Sequence, residues 1–240
     1  MSRGLTAATG NWYCGLFEPS EMGFLLHLLR KEDHFLDIGA NIGSYTVLAA
    51  GAVGTRTTAV EPIESTMRHL RNNLLANHIQ DSVASHCCGI SSEIGSARFT
   101  TKLGAENHIL PPDATTDGVI LPVTTIDHLT ADDPPTAIKI DVEGYEYQAL
   151  LGAQRVLSSP KLLAIVVETL NHGTAYGHST EMVFTLLARH GFMPMSYEPK
   201  SRKLTKATST CDNTIFVRDE SVVAQRLHSA PRFRLVNGTI

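Results

Sequence analysis

The chain has 240 residues, of which 42% are hydrophobic and 18% are charged, and its formal net charge at pH 7 is −4. A chain of this length and composition can bury a full hydrophobic core, and we expect a single domain over residues 1–240. It lacks the basic surplus that is typical of proteins that bind nucleic acid, so we do not expect a nucleic-acid partner.

The sequence predicts a soluble, cytoplasmic protein. Its first residues lack a basic region followed by an apolar run, and no stretch reaches about 18 consecutive apolar residues. The four cysteines show neither a Cys-x-x-Cys pair nor a zinc-ligand spacing. Cys87 and Cys88 are adjacent in an apolar, strand-like stretch, which favours buried thiols over a disulfide.

The apolar pattern predicts strands that alternate with helices. A helical lead-in covers residues 1–33, with a helix at 19–31 behind Ser20 as N-cap, and leads into a first strand at 34–38. Further helices are expected at 44–52, 64–77, 145–157 and from 179 to Gly191, and further strands at 57–61, 82–88, 137–141, 162–167 and 214–218. A polar loop precedes the last strand, and the tail from about residue 221 has no clear period. This alternation indicates an α/β fold that binds its ligand at the carboxyl ends of the strands.

Residues 89–124 have a different character and interrupt the alternation. Scattered glycines, the pair Pro111-Pro112 and alternating stretches such as residues 97–100 predict an antiparallel β-arm inserted into the domain. The tip of this arm, residues 104–108, is polar. It could be a lid over a site or a loop without function.

The segment 35–45, FLDIGANIGSY, predicts a strand, a tight glycine turn and a helix N-terminus, a geometry on which nucleotide-like cofactors dock. A dinucleotide site would need glycines where Asn41 and Ser44 stand. Asparagine tolerates a left-handed backbone, so the turn survives. Asp37 would repel a pyrophosphate but suits the ammonium and sulfonium of S-adenosylmethionine. The alternative is a turn that binds nothing and keeps its glycines for packing.

Further carboxylates follow the predicted strands. Glu61 stands 24 positions beyond Asp37, close to the spacing of about 20 residues at which an acid meets ribose hydroxyls in such folds. Glu61 alone could equally be an acid at a helix start. Together with Asp141 and Glu168, however, the two residues define an acidic crevice that suits a cationic cofactor.

The block 139–146, KIDVEGYE, carries the densest set of charges. Lys139, Asp141 and Glu143 share one face of a strand, where Lys139 needs a partner such as Asp141 or Glu168. Glu146 is explained by helix capping, and Glu143 fits capping and the site equally well. We assign Asp141 to the reaction centre.

Four motifs, FLDIGANIGSYT, VEP, IKIDVEGYEYQALLGA and IVVETLNHG, resemble the FkbM family of S-adenosylmethionine-dependent methyltransferases, over about residues 11–218. The resemblance implies a class I methyltransferase Rossmann-like fold, with a mostly parallel sheet and a terminal antiparallel strand. It also implies O-methylation of a hydroxyl on a sugar, glycolipid or polyketide-type natural product.

The resemblance assigns roles to individual residues. Cofactor binding falls to the methionine-end loop (Asp37, Gly39, Ala40, Asn41 and Gly43), to Glu61 and Pro62 on the ribose side, and to Cys88 and Gly89 on the adenine side. Asp141 is placed next to the methyl group. The two thiols at 87–88 depart from the small residues expected there.

The expected chemistry needs a base for the acceptor hydroxyl, and Asp141, Glu168 and His172 are the candidates. A histidine titrates near neutrality, with an ordinary pKa of about 6.5, although His172 could also be a solvated loop residue. Asp141, Glu168 and Asn171 could hold a divalent ion such as magnesium. The alternatives to a methyltransferase are an NAD-dependent oxidoreductase and a non-catalytic module that binds the cofactor.

Overall fold

The computed structural model describes residues 15–111, 113–207 and 212–240, without the side chains of residues 105, 171 and 172. The helices are α1 (Pro19–Leu28), α2 (Ser44–Val47), α3 (Glu64–Ala76), α4 (Ile126–Leu129), α5 (Glu146–Leu151), α6 (Gln154–Ser158), α7 (Thr180–Arg189) and α8 (Glu220–Ser229). The strands are β1 (His34–Ile38), β2 (Arg56–Val60), β3 (Val83–His86), β4 (Gly89–Ile90), β5 (Gly95–Phe99), β6 (Val119–Thr124), β7 (Ala137–Ile140), β8 (Ala164–Glu168), β9 (Met193–Glu198), β10 (Lys203–Lys206), β11 (Asn213–Val217), β12 (Arg234–Leu235) and β13 (Gly238–Thr239). No helix in these ranges is long and apolar enough to span a membrane.

An eight-stranded sheet in the order β10-β9-β11-β8-β7-β1-β2-β3 organises the chain. The strands from β8 to β3 run parallel, whereas β11 is antiparallel to both β8 and β9. The parallel sheet and the late antiparallel strand that the sequence predicted are confirmed. The chain order reverses between β1 and β7, and folds of this type bind ligands at such a switch point.

Apolar side chains cover both faces of the sheet, which accounts for the continuous apolar runs of its central strands. Phe35 of β1 packs on one face with residues of α1, including Leu25. Leu36 and Ile38 of the same strand pack on the other face with residues of α5 to α7. Strand β1 is therefore held in place from both sides, and its carboxyl end is fixed accordingly.

The segment 89–124 forms a separate three-stranded sheet in the order β4-β6-β5. Strands β5 and β6 are antiparallel, and β4 pairs with β6 in parallel. The predicted β-arm is thus present. Tyr176 fastens it to the domain, because its hydroxyl donates a hydrogen bond to the carbonyl oxygen of Ile109 at 2.5 Å.

The single helix predicted over residues 145–157 was wrong, because the structure has the two short helices α5 and α6. Gly152 lies between them, and a Cβ there would stand 2.3 Å from the carbonyl oxygen of Ser91. The Asp127 carboxylate accepts a hydrogen bond from the backbone amide of Val156 at 2.9 Å. A close backbone contact and a cap from another helix therefore interrupt this segment.

Four other features differ from the prediction. The expected polar loop after α7 contains β9 and β10, and the unassigned tail contains α8 and the small hairpin of β12 and β13. The predicted helix at 44–52 continues from α2 as a π-helical segment, Leu48–Val53. Ser20 does not cap α1, because the helix begins at Pro19 and the Ser20 hydroxyl donates to the carbonyl oxygen of Tyr197 at 2.8 Å.

Candidate functional site

A cleft lies at the carboxyl ends of β1, β2 and β7, where the chain order of the sheet reverses. Its walls come from the segment before α1, the loop after β1, the ends of β2 and β7, and the β-arm. The lining residues include Phe17, Glu18, Asp37, Gly39, Ala40, Asn41, Tyr45, Glu61, Pro62, Cys88, Gly89, Phe99, Asn107, His108, Lys139, Asp141 and Glu143.

Backbone geometry determines the loop after β1. Gly39 has φ +73°, and a Cβ there would stand 1.7 Å from the carbonyl oxygen of Asp141. Asn41 has φ +50°, so the left-handed conformation predicted for this asparagine is present. The backbone amides of Gly39 and Ala40 both donate to the carbonyl oxygen of Val60. The loop is therefore fastened to the ends of β2 and β7.

Asp37 lies beneath this loop and is only 2% exposed. The Thr46 hydroxyl donates to its Oδ2 at 2.5 Å. Burial raises the pKa of Asp37 to about 6, although the Thr46 hydroxyl and the Lys139 ammonium act in the opposite direction. A ligand cation would favour the ionised form of this carboxylate.

Glu61 closes the loop from the end of β2. Its Oε2 accepts from the backbone amide of Asn41 at 3.1 Å, and its Oε1 accepts from the backbone amide of Ile63 at 2.9 Å. Burial raises the pKa of Glu61 to about 7. Each carboxylate oxygen has a second lone pair, so both can still accept from the hydroxyls of a ligand.

Lys139 and Asp141 form an ion pair at the end of β7. The Lys139 ammonium lies 3.1 Å from Asp141 Oδ2 and also donates to Asn213 Oδ1 at 2.8 Å. Burial by itself would lower the pKa of Lys139, but the carboxylates of Asp141 and Glu18 raise it above its ordinary value. The partner that the sequence required for Lys139 is therefore Asp141.

Glu168 ends β8 beside this pair but is not among the residues that line the cleft. It lines a small adjacent pocket with His178. Burial, followed by the charges of Asp141 and Glu143, raises the pKa of Glu168 to about 9. A raised pKa favours the protonated form of this carboxyl group, which cannot accept a proton from a substrate.

Asp141, Glu143 and Glu168 each offer a carboxylate oxygen within 4.8 Å of the others. Such oxygens are the ligands that magnesium prefers. If a divalent ion were bound there, it would supply a Lewis acid for an acceptor hydroxyl. The Asn171 side chain, which the sequence added to this set, lies outside the described residues.

The cleft contains nine of the residues that the sequence assigned to the site, namely Asp37, Gly39, Ala40, Asn41, Glu61, Pro62, Cys88, Gly89 and Asp141. Gly43 is not among the lining residues. It stands at the N-cap of α2 with φ +91°, and a Cβ there would lie 3.2 Å from Cγ of Leu70. The turn and its packing against α3 therefore account for this glycine.

His172 is in a short helical turn after β8, Asn171–Tyr176, but its side chain lies outside the described residues. Cys87 and Cys88 are free thiols, as expected, and both are partly buried. Cys14 and Cys211 lie outside the described residues.

Several cleft residues were not identified as site residues from the sequence. Tyr45 and Lys139 stand two positions from predicted site residues, and Phe99 is in an alternating stretch of the arm. No local sequence pattern around Glu18 indicates a role in the site. The tip of the arm brings Asn107 and His108 to the cleft. The arm therefore forms one wall of the cleft. This position favours the interpretation of its tip as a lid. Closure of the tip over a ligand stays a prediction.

The sheet order, the antiparallel β11 and the cleft at the switch point are those of the class I methyltransferase Rossmann-like fold. The chain belongs to the FkbM methyltransferase family, because the family model "Methyltransferase FkbM domain" matches residues 37–194. The family resemblance seen in the sequence is thereby confirmed.

Two solved structures illustrate the similarity. Methyltransferase FkbM from Methylobacillus flagellatus KT has a TM-score of 0.55 and 21% sequence identity, with 79% of this chain and 44% of that chain covered. This chain therefore spans less than half the length of that relative. A putative rRNA methylase from Clostridium thermocellum has a TM-score of 0.50 and 13% identity, with 82% and 90% of the two chains covered. No curated protein matches the chain in sequence.

Proposed function

We propose that this protein is an S-adenosylmethionine-dependent O-methyltransferase whose acceptor is a hydroxyl of a sugar, glycolipid or polyketide-type natural product. The observation that carries the cofactor assignment is the charge of the cleft. Five carboxylates line it (Glu18, Asp37, Glu61, Asp141 and Glu143), and Lys139 is the only lysine or arginine among the lining residues of the described ranges. A cationic cofactor fits this balance, whereas phosphates do not.

The proposed roles follow the positions of the residues in the cleft. The loop 37–41 holds the methionine end of the cofactor, Glu61 accepts from the ribose hydroxyls, and Cys88 and Gly89 contact the adenine. Phe99 of the arm lies against this last wall, since a Cβ on Gly89 would stand 2.4 Å from Cζ of its ring. An aromatic ring at this position suits a flat base.

Asp141 is the proposed base. S-adenosylmethionine, when bound, supplies a methyl group that its sulfonium has already activated. The protein has to align an acceptor oxygen behind that carbon and accept its proton. Asp141 lines the cleft at the end of β7, and Lys139 holds its carboxylate in place. His172 and Glu168 are the other candidates, and burial together with neighbouring carboxylates raises the pKa of Glu168 and so favours its protonated form.

Calorimetry separates the proposal from its main alternative, an NAD-dependent oxidoreductase. We expect the wild-type protein to bind S-adenosylhomocysteine and to show no heat of binding with NAD, because Asn41 and Ser44 occupy two of the glycine positions of a dinucleotide loop. Absence of S-adenosylhomocysteine binding at millimolar concentration would contradict the proposed function.

Asp141→Ala distinguishes an enzyme from a non-catalytic binding module. The variant should bind S-adenosylhomocysteine like the wild type and lose methyl transfer to acceptors found in a screen of hydroxylated compounds with labelled cofactor. The same assay with EDTA tests for a divalent ion at Asp141, Glu143 and Glu168. Turnover that survives Asp141→Ala would remove Asp141 from the reaction centre.

A further inference from the structure

Glu18 stands at the N-cap position of α1, yet its carboxylate makes no capping hydrogen bond there. It is instead turned toward the cleft that it lines. The Tyr45 hydroxyl donates to Glu18 Oε2, and the Asn213 side-chain amide donates to Oε1 at 2.9 Å. Donors from α2 and β11 thus hold this carboxylate in one orientation on the wall of the cleft.

Among the residues that the structure describes, the charges around Glu18 do not balance. Lys139 donates to Asp141 and to Asn213, and its ammonium lies 5.5 Å from the centre of the Tyr45 ring. The ammonium thus pairs directly with Asp141, and the carboxylate of Glu18 also lies within its electrostatic field. Among the described cleft residues no other lysine or arginine is present, so this end of the cleft has a surplus of negative charge.

The position of Glu18 indicates which part of a ligand would meet this charge. Tyr45 follows the glycine loop after only one residue, so its partner Glu18 lies near the proposed methionine end. Glu61, at the end of β2, bonds to Asn41 of the same loop. The loop is therefore contacted by Glu61 from β2, whereas Glu18 reaches Tyr45 from the N-cap of α1.

We propose that Glu18 is a cofactor-binding residue whose carboxylate pairs with the ammonium group at the amino-acid end of S-adenosylmethionine. This inference rests on the proposed function and adds a residue to it. An ammonium offers three N–H donors, and each oxygen of Glu18 keeps a lone pair beyond the bond it already accepts. Hydrogen bonds between ionised partners are about twice as strong as neutral ones.

The alternative role for Glu18 is structural, because its two hydrogen bonds also fasten the segment before α1 to the core. Calorimetry with two ligands separates the roles. S-adenosylhomocysteine carries the ammonium, whereas 5′-methylthioadenosine has the adenosine and thioether but no amino-acid group. Both are titrated into wild type and Glu18→Gln, with the weaker ligand measured by competition.

We expect Glu18→Gln to weaken S-adenosylhomocysteine binding by about tenfold or more, the usual size of a lost charged hydrogen bond. The affinity for 5′-methylthioadenosine should change less than about twofold. Glu32→Gln is the control, because Glu32 is an exposed carboxylate that follows α1 and does not line the cleft. It should leave both affinities unchanged.

An equal loss for both ligands, or an unchanged affinity for S-adenosylhomocysteine, overturns the inference. Failure of the wild type to bind S-adenosylhomocysteine is a different result, since it contradicts the proposed function itself. Thermal unfolding shows whether Glu18→Gln folds. If it does not, Tyr45→Phe removes only the hydroxyl that orients Glu18 and should weaken S-adenosylhomocysteine selectively, whereas an equal effect on both ligands overturns the inference.

Discussion

Asp37 is a residue of the site whose ionisation lowers the stability of the folded chain. Because burial raises its pKa to about 6, its ionised form is less favourable in the folded than in the unfolded chain. This cost is absent below the ordinary value of 3.8, grows as the pH rises and is complete above about pH 6. The site thus keeps a carboxylate that folding alone disfavours.

Asp37→Asn should therefore be more stable than the wild type at pH 8, by up to about 3 kcal/mol, and this difference should disappear toward pH 4. The same variant should lose affinity for S-adenosylhomocysteine. Urea unfolding at both pH values and calorimetry measure the two effects. Asp81→Asn is the control, since Asp81 is exposed and outside the cleft. A stability difference that does not depend on pH would contradict this account.

Single residues also show how far the local sequence could be interpreted. The left-handed backbone of Asn41 was predictable, because asparagine tolerates that conformation and the turn required it. The role of Gly39 was not, since its missing Cβ makes room for the carbonyl oxygen of Asp141, about a hundred positions away. That contact can be recognised only once β7 is placed beside β1 in the sheet.

Among the elements, the β-arm depends on a few contacts with the domain. The Tyr176 hydroxyl bonds to the Ile109 carbonyl oxygen, and the Tyr176 ring packs edge-on against Tyr145 at 5.1 Å between centroids. These contacts lie close to the arm residues that line the cleft. They therefore set the position of that wall.

Tyr176→Phe should loosen the arm without unfolding the domain. Loss of one hydrogen bond, worth about 1 kcal/mol, should speed amide hydrogen exchange over residues 100–110 by about fivefold and leave β1 and β7 unchanged. Mass spectrometry after timed exchange measures this. Tyr147→Phe is the control, because the Tyr147 hydroxyl makes no hydrogen bond to the described residues. Faster exchange in the main sheet as well would show that Tyr176 stabilises the whole domain.

Two elements differ from the sequence prediction for physical reasons. The predicted helix at 145–157 has a good helical pattern, but Gly152 meets the backbone of Ser91 and α6 takes its cap from Asp127. Helix α8 has a mixed surface, and only its buried residues Val223 and Leu227 pack into the core with α1. In both cases tertiary contacts override local preference.

For the whole molecule, a polar cluster at Asp33 joins distant parts of the chain. The Asp33 carboxylate accepts from the backbone amide of Arg30 at 2.7 Å, from the Thr136 hydroxyl at 3.1 Å and from the Arg226 guanidinium at 2.6 Å. These partners belong to the turn after α1, the residue before β7 and helix α8. The carboxylate thus fastens the C-terminal helix to the core.

Arg226→Met should lower the free energy of unfolding by about 2 kcal/mol, because it leaves the buried Asp33 carboxylate without its charged partner. Urea unfolding measures the change. Arg71→Met removes a guanidinium from an exposed pair, 3.5 Å from Glu64, and should change stability by less than about 0.5 kcal/mol. Equal effects of the two substitutions would contradict a special role for the Asp33 cluster.

The family resemblance supplied four residues of the cleft, Ala40, Pro62, Cys88 and Gly89. The sequence by itself determined the α/β class, the strand that leads into the glycine loop, the β-arm and five further residues of the cleft, Asp37, Gly39, Asn41, Glu61 and Asp141. Those features depend on local periodicity, on turn chemistry and on carboxylates at strand ends, all of which are properties of short segments. The tertiary structure alone decided which residues face the cleft from elsewhere, such as Glu18 and Phe99, and that Glu168 lies beside it. It also decided the pairing of Lys139 and the docking of α8. These features depend on contacts between segments that are far apart in the chain. A local sequence pattern contains no information about the free energy of such contacts.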